Sequence, residues 1–215
     1  MINSYIFFFS IFIFEAIIFL QYCSSIFIAK CSVLKRCLFI VPVYIAIFAI
    51  FKFGHPMINF FFLCLGNFIF LYFLYNTTWY IAAFHSVIDV IIMSLWESAM
   101  ILIIPYPYSY SFNSLAKAFH IWMIPTILSK FLYTLTMLIL EIIIKRYSQQ
   151  NIAAKPPLIL LIPPIASMYL ICCYVRFAGE AELSPGLSKM LIIATVLLLL
   201  LNISVVITYN YIVKR

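Results

Sequence analysis

The chain of 215 residues is 67% apolar and only 9% charged, with a mean hydropathy of +1.18. A soluble domain carries about 45–50% apolar and about 25% charged residues, so this composition excludes a soluble globular protein and a disordered one. The net charge of +7 does not point to nucleic acid, because the basic residues sit between apolar runs, where they orient a chain in a membrane.

A spanning helix needs about 20 apolar residues. The apolar runs therefore predict an all-α, polytopic transmembrane helix bundle of about seven spans. It forms a single integral membrane domain over residues 1–215, with no soluble domain. The first predicted helix, 5–29, is mostly Phe and Ile, interrupted by Glu15 and Gln21. Its start lacks the basic stretch of a secretory signal, so it is read as a retained helix. A basic loop, 30–36, leads to the second helix, 37–53, which is short for a span unless Lys52 snorkels to the interface. Gly54-His55-Pro56 forms a turn. The third helix, 57–75, contains Asn59 and Asn67, and Asn76-Thr77-Thr78 makes a tight connection to the fourth.

The fourth helix, 79–104, carries His85, Asp89 and Glu97. The stretch 105–114 is rich in Pro and Tyr and suits a turn at the membrane interface. The fifth helix, 119–144, contains Pro125, Lys130 and Glu141, and is followed by a basic, polar loop, 145–155. The sixth, 156–175, enters on Pro156-Pro157 and should kink at Pro163-Pro164. A polar loop from Arg176 to Lys189 holds Glu180 and Glu182, and overlaps the start of the leucine-rich seventh helix, 187–213. If the second and third helices form a re-entrant hairpin, five spans remain, so the prediction is five to seven.

Charge sets the orientation. Lys30, Lys35, Arg36, Lys145, Arg146, Lys155, Lys214 and Arg215 fall on one side, eight basic residues without an acid. Lys52, Lys117, Arg176 and Lys189 fall on the other, together with Glu180 and Glu182. The positive-inside rule makes the first side cytoplasmic. The N-terminus is then outside and the C-terminus inside, in a plasma membrane.

The candidate intramembrane polar residues are Glu15, His85, Asp89, Glu97, Lys130, Glu141 and Asn202. Ionised acids at a helix centre cost about 2.5–3.5 kcal/mol each, so Asp89 and Glu97 should face other helices or a wet cavity. Lys130 is the one basic residue deep in an apolar run. Helices four and five are antiparallel neighbours, so Glu97 and Lys130 are expected to pair. His85 and Asp89 share a helix face. They are read as a mutual hydrogen bond near the cytoplasmic end, with a proton relay and a metal ligand pair as alternatives. The six cysteines contain no Cys-x-x-Cys and read as small buried hydrophobes. His55 and Cys64 raise a membrane cysteine-protease reading. No nucleotide-binding loop, zinc motif or nucleophile elbow occurs, so no enzymatic activity, cofactor or metal is expected. The outer aromatics Tyr106, Tyr108, Tyr110, Trp122 and Phe177 serve either as interface anchors or as a rim that receives a hydrophobic peptide.

Several short stretches carry a resemblance: Tyr75-Asn76, Phe84-His85-Ser86, Leu95-Trp96-Glu97, Ser129-Lys130-Phe131-Leu132-Tyr133, Leu201-Asn202, Tyr209, and the ending Tyr211-Ile212-Val213-Lys214-Arg215. In this layout the chain resembles the transmembrane sensor region of bacterial peptide-sensing, quorum-sensing histidine kinases of the GHKL class. The resemblance implies reception of a secreted peptide or hydrophobic ligand at the outer face. It implies transmission through the last helix, as a homodimer in lipid, to a separate kinase or downstream regulator. The family continues into a phosphoacceptor helix and an ATP-binding domain, so the chain is expected to be the sensor without its kinase half. The alternative from a different class is a small transporter or channel component that uses the intramembrane polar residues.

Overall fold

The computed structural model describes residues 2–51, 56–103, 119–147, 162–180 and 185–213. They form α1 (Ile2–Ile26), α2 (Val33–Phe51), α3 (Pro56–Leu74), α4 (Trp79–Ile103), α5 (Phe119–Tyr147), α6 (Ile162–Glu180) and α7 (Pro185–Val213). Many of these residues are Ile, Val, Phe and Tyr, which are indifferent helix formers in water. Hydrocarbon reverses that preference, because an unpaired backbone N–H or C=O there costs several kcal/mol and a helix satisfies them all internally.

The helix starts are legible in local chemistry. Ser32 precedes α2 and its carbonyl accepts from Arg36 N at 3.2 Å; Thr78 precedes α4 and accepts from Ala82 N at 3.0 Å. Both are favoured N-cap types. Pro56 and Pro185 each open a helix, where the missing N–H has no partner to lose. Pro163 and Pro164 fall in the first described turn of α6, and the expected entry at Pro156-Pro157 lies outside the described residues. The two tight connections, after α1 and after α3, are joined by one antiparallel bridge, Ala29 to Tyr75. Lys30 N donates to Leu74 O and Asn76 N donates to Ile28 O, both at 2.9 Å.

Among the described residues, five helices are long and apolar enough to cross a membrane: Ile6–Ile26, Val33–Ile50, Trp79–Met100, Met123–Lys145 and Lys189–Tyr209. Two apolar stretches are shorter, Ile58–Leu74 in α3 and Ile162–Ile171 in α6. From its sequence the second helix is expected to be short for a span. It is instead of spanning length, because it starts at Val33 and takes Lys35 and Arg36 into its first turns. The polar loop expected from Arg176 also contracts: α6 continues to Glu180 and α7 begins at Pro185.

The fourth helix is the axis of the bundle. It packs against α3, α5, α6 and α7, while α1 packs on α2 and α5, and α2 on α3. Of the window Trp79–Met100, 72% is buried inside the protein, against 22–39% for the other four spanning windows. Close approach of α2 and α3 depends on Gly66, where a Cβ would lie 2.9 Å from both Ile47 Cδ1 and Val43 Cγ1. Large apolar side chains, among them Ile124, Phe131, Met190 and Leu197, cover the outside.

Candidate functional site

The buried polar groups of α1, α4 and α5 form a seam with three levels. A helix turns about 100° per residue, so Glu15 and Tyr22 lie two turns apart on nearly one face of α1. Lys130 and Tyr133 share a face of α5, and His85 and Asp89 share one of α4. Glu97 follows Asp89 by eight residues and is rotated from it by about 80°. It sits at the margin of the packed face, and its side chain keeps 35% exposure.

At the first level, Tyr22 Oη and His85 Nδ1 lie 2.8 Å apart. The imidazole is buried among rings: Phe27, Phe84, Tyr22 and Tyr209 all lie within 6 Å, centroid to centroid. At the second level, Tyr133 Oη donates to Asp89 Oδ1 at 2.6 Å and Asn67 Nδ2 donates to Oδ2 at 2.9 Å. Tyr44 Oη in turn donates to Asn67 Oδ1 at 2.9 Å. One buried chain of side chains thereby links α2, α3, α4 and α5. At the third level, Lys130 Nζ is in ion-pair contact with the carboxylates of both Glu15 and Glu97. Both Lys130 and Glu15 are almost fully buried, with side-chain exposures of 3% and 5%. Nearby, Trp96 Nε1 donates to Thr136 Oγ1 at 2.9 Å, a further α4–α5 tie.

At the end of the bundle where the charge bias places the cytoplasm, Arg36 Nη1 donates to Ser24 Oγ at 2.6 Å and to Tyr75 Oη at 3.0 Å. The guanidinium also lies over the Tyr75 ring, 5.4 Å from its centroid. Lys30 Nζ donates to the carbonyl of Tyr72 at 2.9 Å, near the end of α3, where a cation complements the helix dipole.

The expected Glu97–Lys130 pair forms, and Glu15 joins it as a third member. The expected His85–Asp89 hydrogen bond is not among the hydrogen bonds of the described residues: each side chain turns to a different helix, His85 to α1 and Asp89 to α3 and α5. Glu141 pairs with Lys145 of its own helix at 2.7 Å, one turn on and near the helix end. Asn202 Nδ2 donates to Ser167 Oγ at 2.8 Å and ties α7 to α6. Of the aromatic rim, Tyr106, Tyr108 and Tyr110 lie outside the described residues, as does His55 of the protease reading. Trp122 falls in the first turn of α5 and Phe177 near the end of α6, so the latter is a helix residue rather than a loop residue; their side chains are outside the description.

Sequence reasoning missed Tyr22, Tyr44, Asn67, Tyr133 and Ser167 as partners. Asn67 carries a visible signal, an amide in the middle of an apolar helix, where polar groups bond across helices. The tyrosines carry a weaker one, since the chain has 15 of them and a ring reads as apolar until its hydroxyl is needed. Among the described residues no group of three or more His, Cys, Asp and Glu side chains is arranged to hold a metal.

The described helices, five of them long and apolar enough to cross a membrane, and the polar residues turned inward define an all-α, multi-pass membrane protein. Comparisons with family models, curated proteins and solved structures find no match for the chain.

Proposed function

We propose that the chain is a membrane sensor module that receives a secreted peptide or another hydrophobic ligand at its outer face and transmits through α7 to a separate kinase or regulator. The observation that supports this reading is the contact between the last helix and the polar axis. The Tyr209 ring on α7 lies 4.6 Å from that of Phe84 and 5.9 Å from that of His85, both on α4. A small shift of α4 therefore moves the end of the helix that leaves the bundle on the basic side. Ligand binding can drive such a shift only by differential affinity for two arrangements of the bundle, and a packed ring contact is the kind of element that has discrete arrangements.

The seam supports a second reading, a small transporter. From His85 to Glu97 the polar levels cover about 18 Å of α4, at 1.5 Å per residue, out of a hydrocarbon thickness of about 30 Å.

One pair of experiments separates the two. Hydrogen–deuterium exchange of the chain in lipid nanodiscs is recorded with and without the peptide fraction of medium conditioned by the source cells. The sensor reading expects a change in exchange confined to the last turns of α7, and loss of that change in Tyr209→Ala. Unchanged exchange throughout α7 overturns it. Liposomes loaded with a proton- or potassium-sensitive dye are then tested for flux. Flux above protein-free vesicles that disappears in Asp89→Asn replaces the sensor reading with the transporter.

A further inference from the structure

Two carboxylates, Glu15 from α1 and Glu97 from α4, close on one ammonium, Lys130 from α5. Lys130 is the one basic side chain in ion-pair contact with either acid among the described residues. With all three groups ionised, the cluster carries one negative charge more than it balances. Asp89, two turns away on α4, adds a third carboxylate to the neighbourhood. Its oxygens are met by a hydroxyl and an amide, Tyr133 and Asn67, and neither brings a positive charge. The remaining titratable side chains of the seam are the phenols Tyr133, Tyr44 and Tyr22, which bring no positive charge, and His85, which is turned away to Tyr22. Glu141 is already matched by Lys145.

Excess charge out of water is expensive, and neutralisation by a proton is the ordinary remedy. The three members differ in access. Glu15 and Lys130 are sealed by α1, α4 and α5, whereas Glu97 keeps 35% side-chain exposure and lies six residues from the end of α4 at Ile103. We propose that the Glu15–Lys130–Glu97 cluster is a proton-binding site. It holds one exchangeable proton between its two carboxylates, with Lys130 as the fixed internal cation and Glu97 as the port. Uptake forms one O–H bond on a carboxylate and breaks none within the protein, and the proton comes from water at the outer end of α4. With the proton bound, two negative groups no longer compete for one ammonium, and the α1–α4–α5 contact is electrically neutral. This inference stands apart from the sensor reading, because it needs neither a ligand nor a signalling partner.

Infrared spectroscopy of the wild-type chain in nanodiscs tests it without any substitution. Protein grown on glutamate carrying heavy carbon at the side-chain carboxyl shifts the C=O stretch of a protonated Glu and leaves that of Asp in place. The expected result at neutral pH is a protonated-carboxyl band that shifts with the glutamate label and shifts again in heavy water. A band that ignores the label assigns the proton to Asp89 and overturns the proposal. So does the lack of any protonated-carboxyl band, and so does a labelled band that heavy water leaves unmoved, since the port would then be closed. Among variants that fold, Glu97→Gln removes the band, whereas Glu141→Gln and Asp89→Asn retain it. Survival of the band in Glu97→Gln overturns the proposal equally.

Discussion

Tyr133 on α5 donates a 2.6 Å hydrogen bond to Oδ1 of Asp89 on α4, while Asn67 on α3 serves Oδ2 at 2.9 Å. Both oxygens of a fully buried carboxyl group are thus engaged by donors from two different neighbours. Removing one partner of a buried hydrogen bond exposes the other to the full cost of its desolvation, about 1–3 kcal/mol. Tyr133→Phe is therefore expected to lower stability by about that amount, measured by unfolding in mixed micelles. Combined with Asp89→Leu, it should cost distinctly less than the sum of the two single changes. Strict additivity would show that the bond contributes nothing.

The three-member ion cluster predicts an order of stabilities. Lys130→Met leaves the buried carboxylate of Glu15 and the half-buried one of Glu97 without a counter-charge and should be the most damaging single change, by about 3–5 kcal/mol. Replacing all three members, Glu15→Leu with Glu97→Leu and Lys130→Leu, removes every charge along with its desolvation cost and should recover most of that loss. The same unfolding assay decides it. A triple variant less stable than Lys130→Met would mean that the cluster stabilises the bundle beyond the mutual cancellation of its charges.

At the α2–α3 contact, Gly66→Leu places a branched side chain where Ile47 and Val43 already approach a bare Cα. Overpacking of this kind costs about 1–3 kcal/mol. Gly66→Ala should cost less than Leu, but its Cβ still displaces both Ile47 Cδ1 and the stiffer Val43 Cγ1, each 2.9 Å away. Ile47 Cδ1 is the far end of a flexible side chain, and alanine gains about 1 kcal/mol of helix propensity over glycine. Folded yield in detergent ranks the two, and equal yields for Leu and Ala would show that the helices part easily here.

The orientation argued from charge is checked by reporters fused after Arg215, one active only in the cytoplasm and one only outside it. The eight-to-four bias of basic residues predicts activity of the cytoplasmic reporter alone. Activity of the external reporter reverses the bundle, and moves the proposed ligand face and the Glu97 port to the cytoplasmic side.

Much of the bundle is legible in residue order, because hydrocarbon leaves an apolar run no alternative to helix. The runs that became α1, α4 and α5 are clear on length alone. Helix boundaries depart from expectation where polar residues lie inside a helix instead of marking its end. Lys35 and Arg36 belong to α2, because the guanidinium finds Ser24 and Tyr75, and α6 runs through Arg176 to Glu180. The Glu97–Lys130 pair was predictable because α4 and α5 follow one another along the chain as antiparallel neighbours and each charge lacks a local partner. Glu15 could not be added to it from sequence, since nothing in the order of residues says that α1 docks beside α5.

Composition and the length of the apolar runs by themselves determined that the chain belongs in a membrane, that its described apolar runs are helical, and which residues carry a cost that burial must offset. That follows from the energy of backbone and charge in hydrocarbon, which is a property of each segment alone. The tertiary structure decided the pairing: His85 with Tyr22 rather than Asp89, Asp89 with Tyr133 and Asn67, and Lys130 with two acids instead of one. Partner choice depends on which helix faces which and at what rotation, and that is set by packing across the whole bundle, with α4 at its centre.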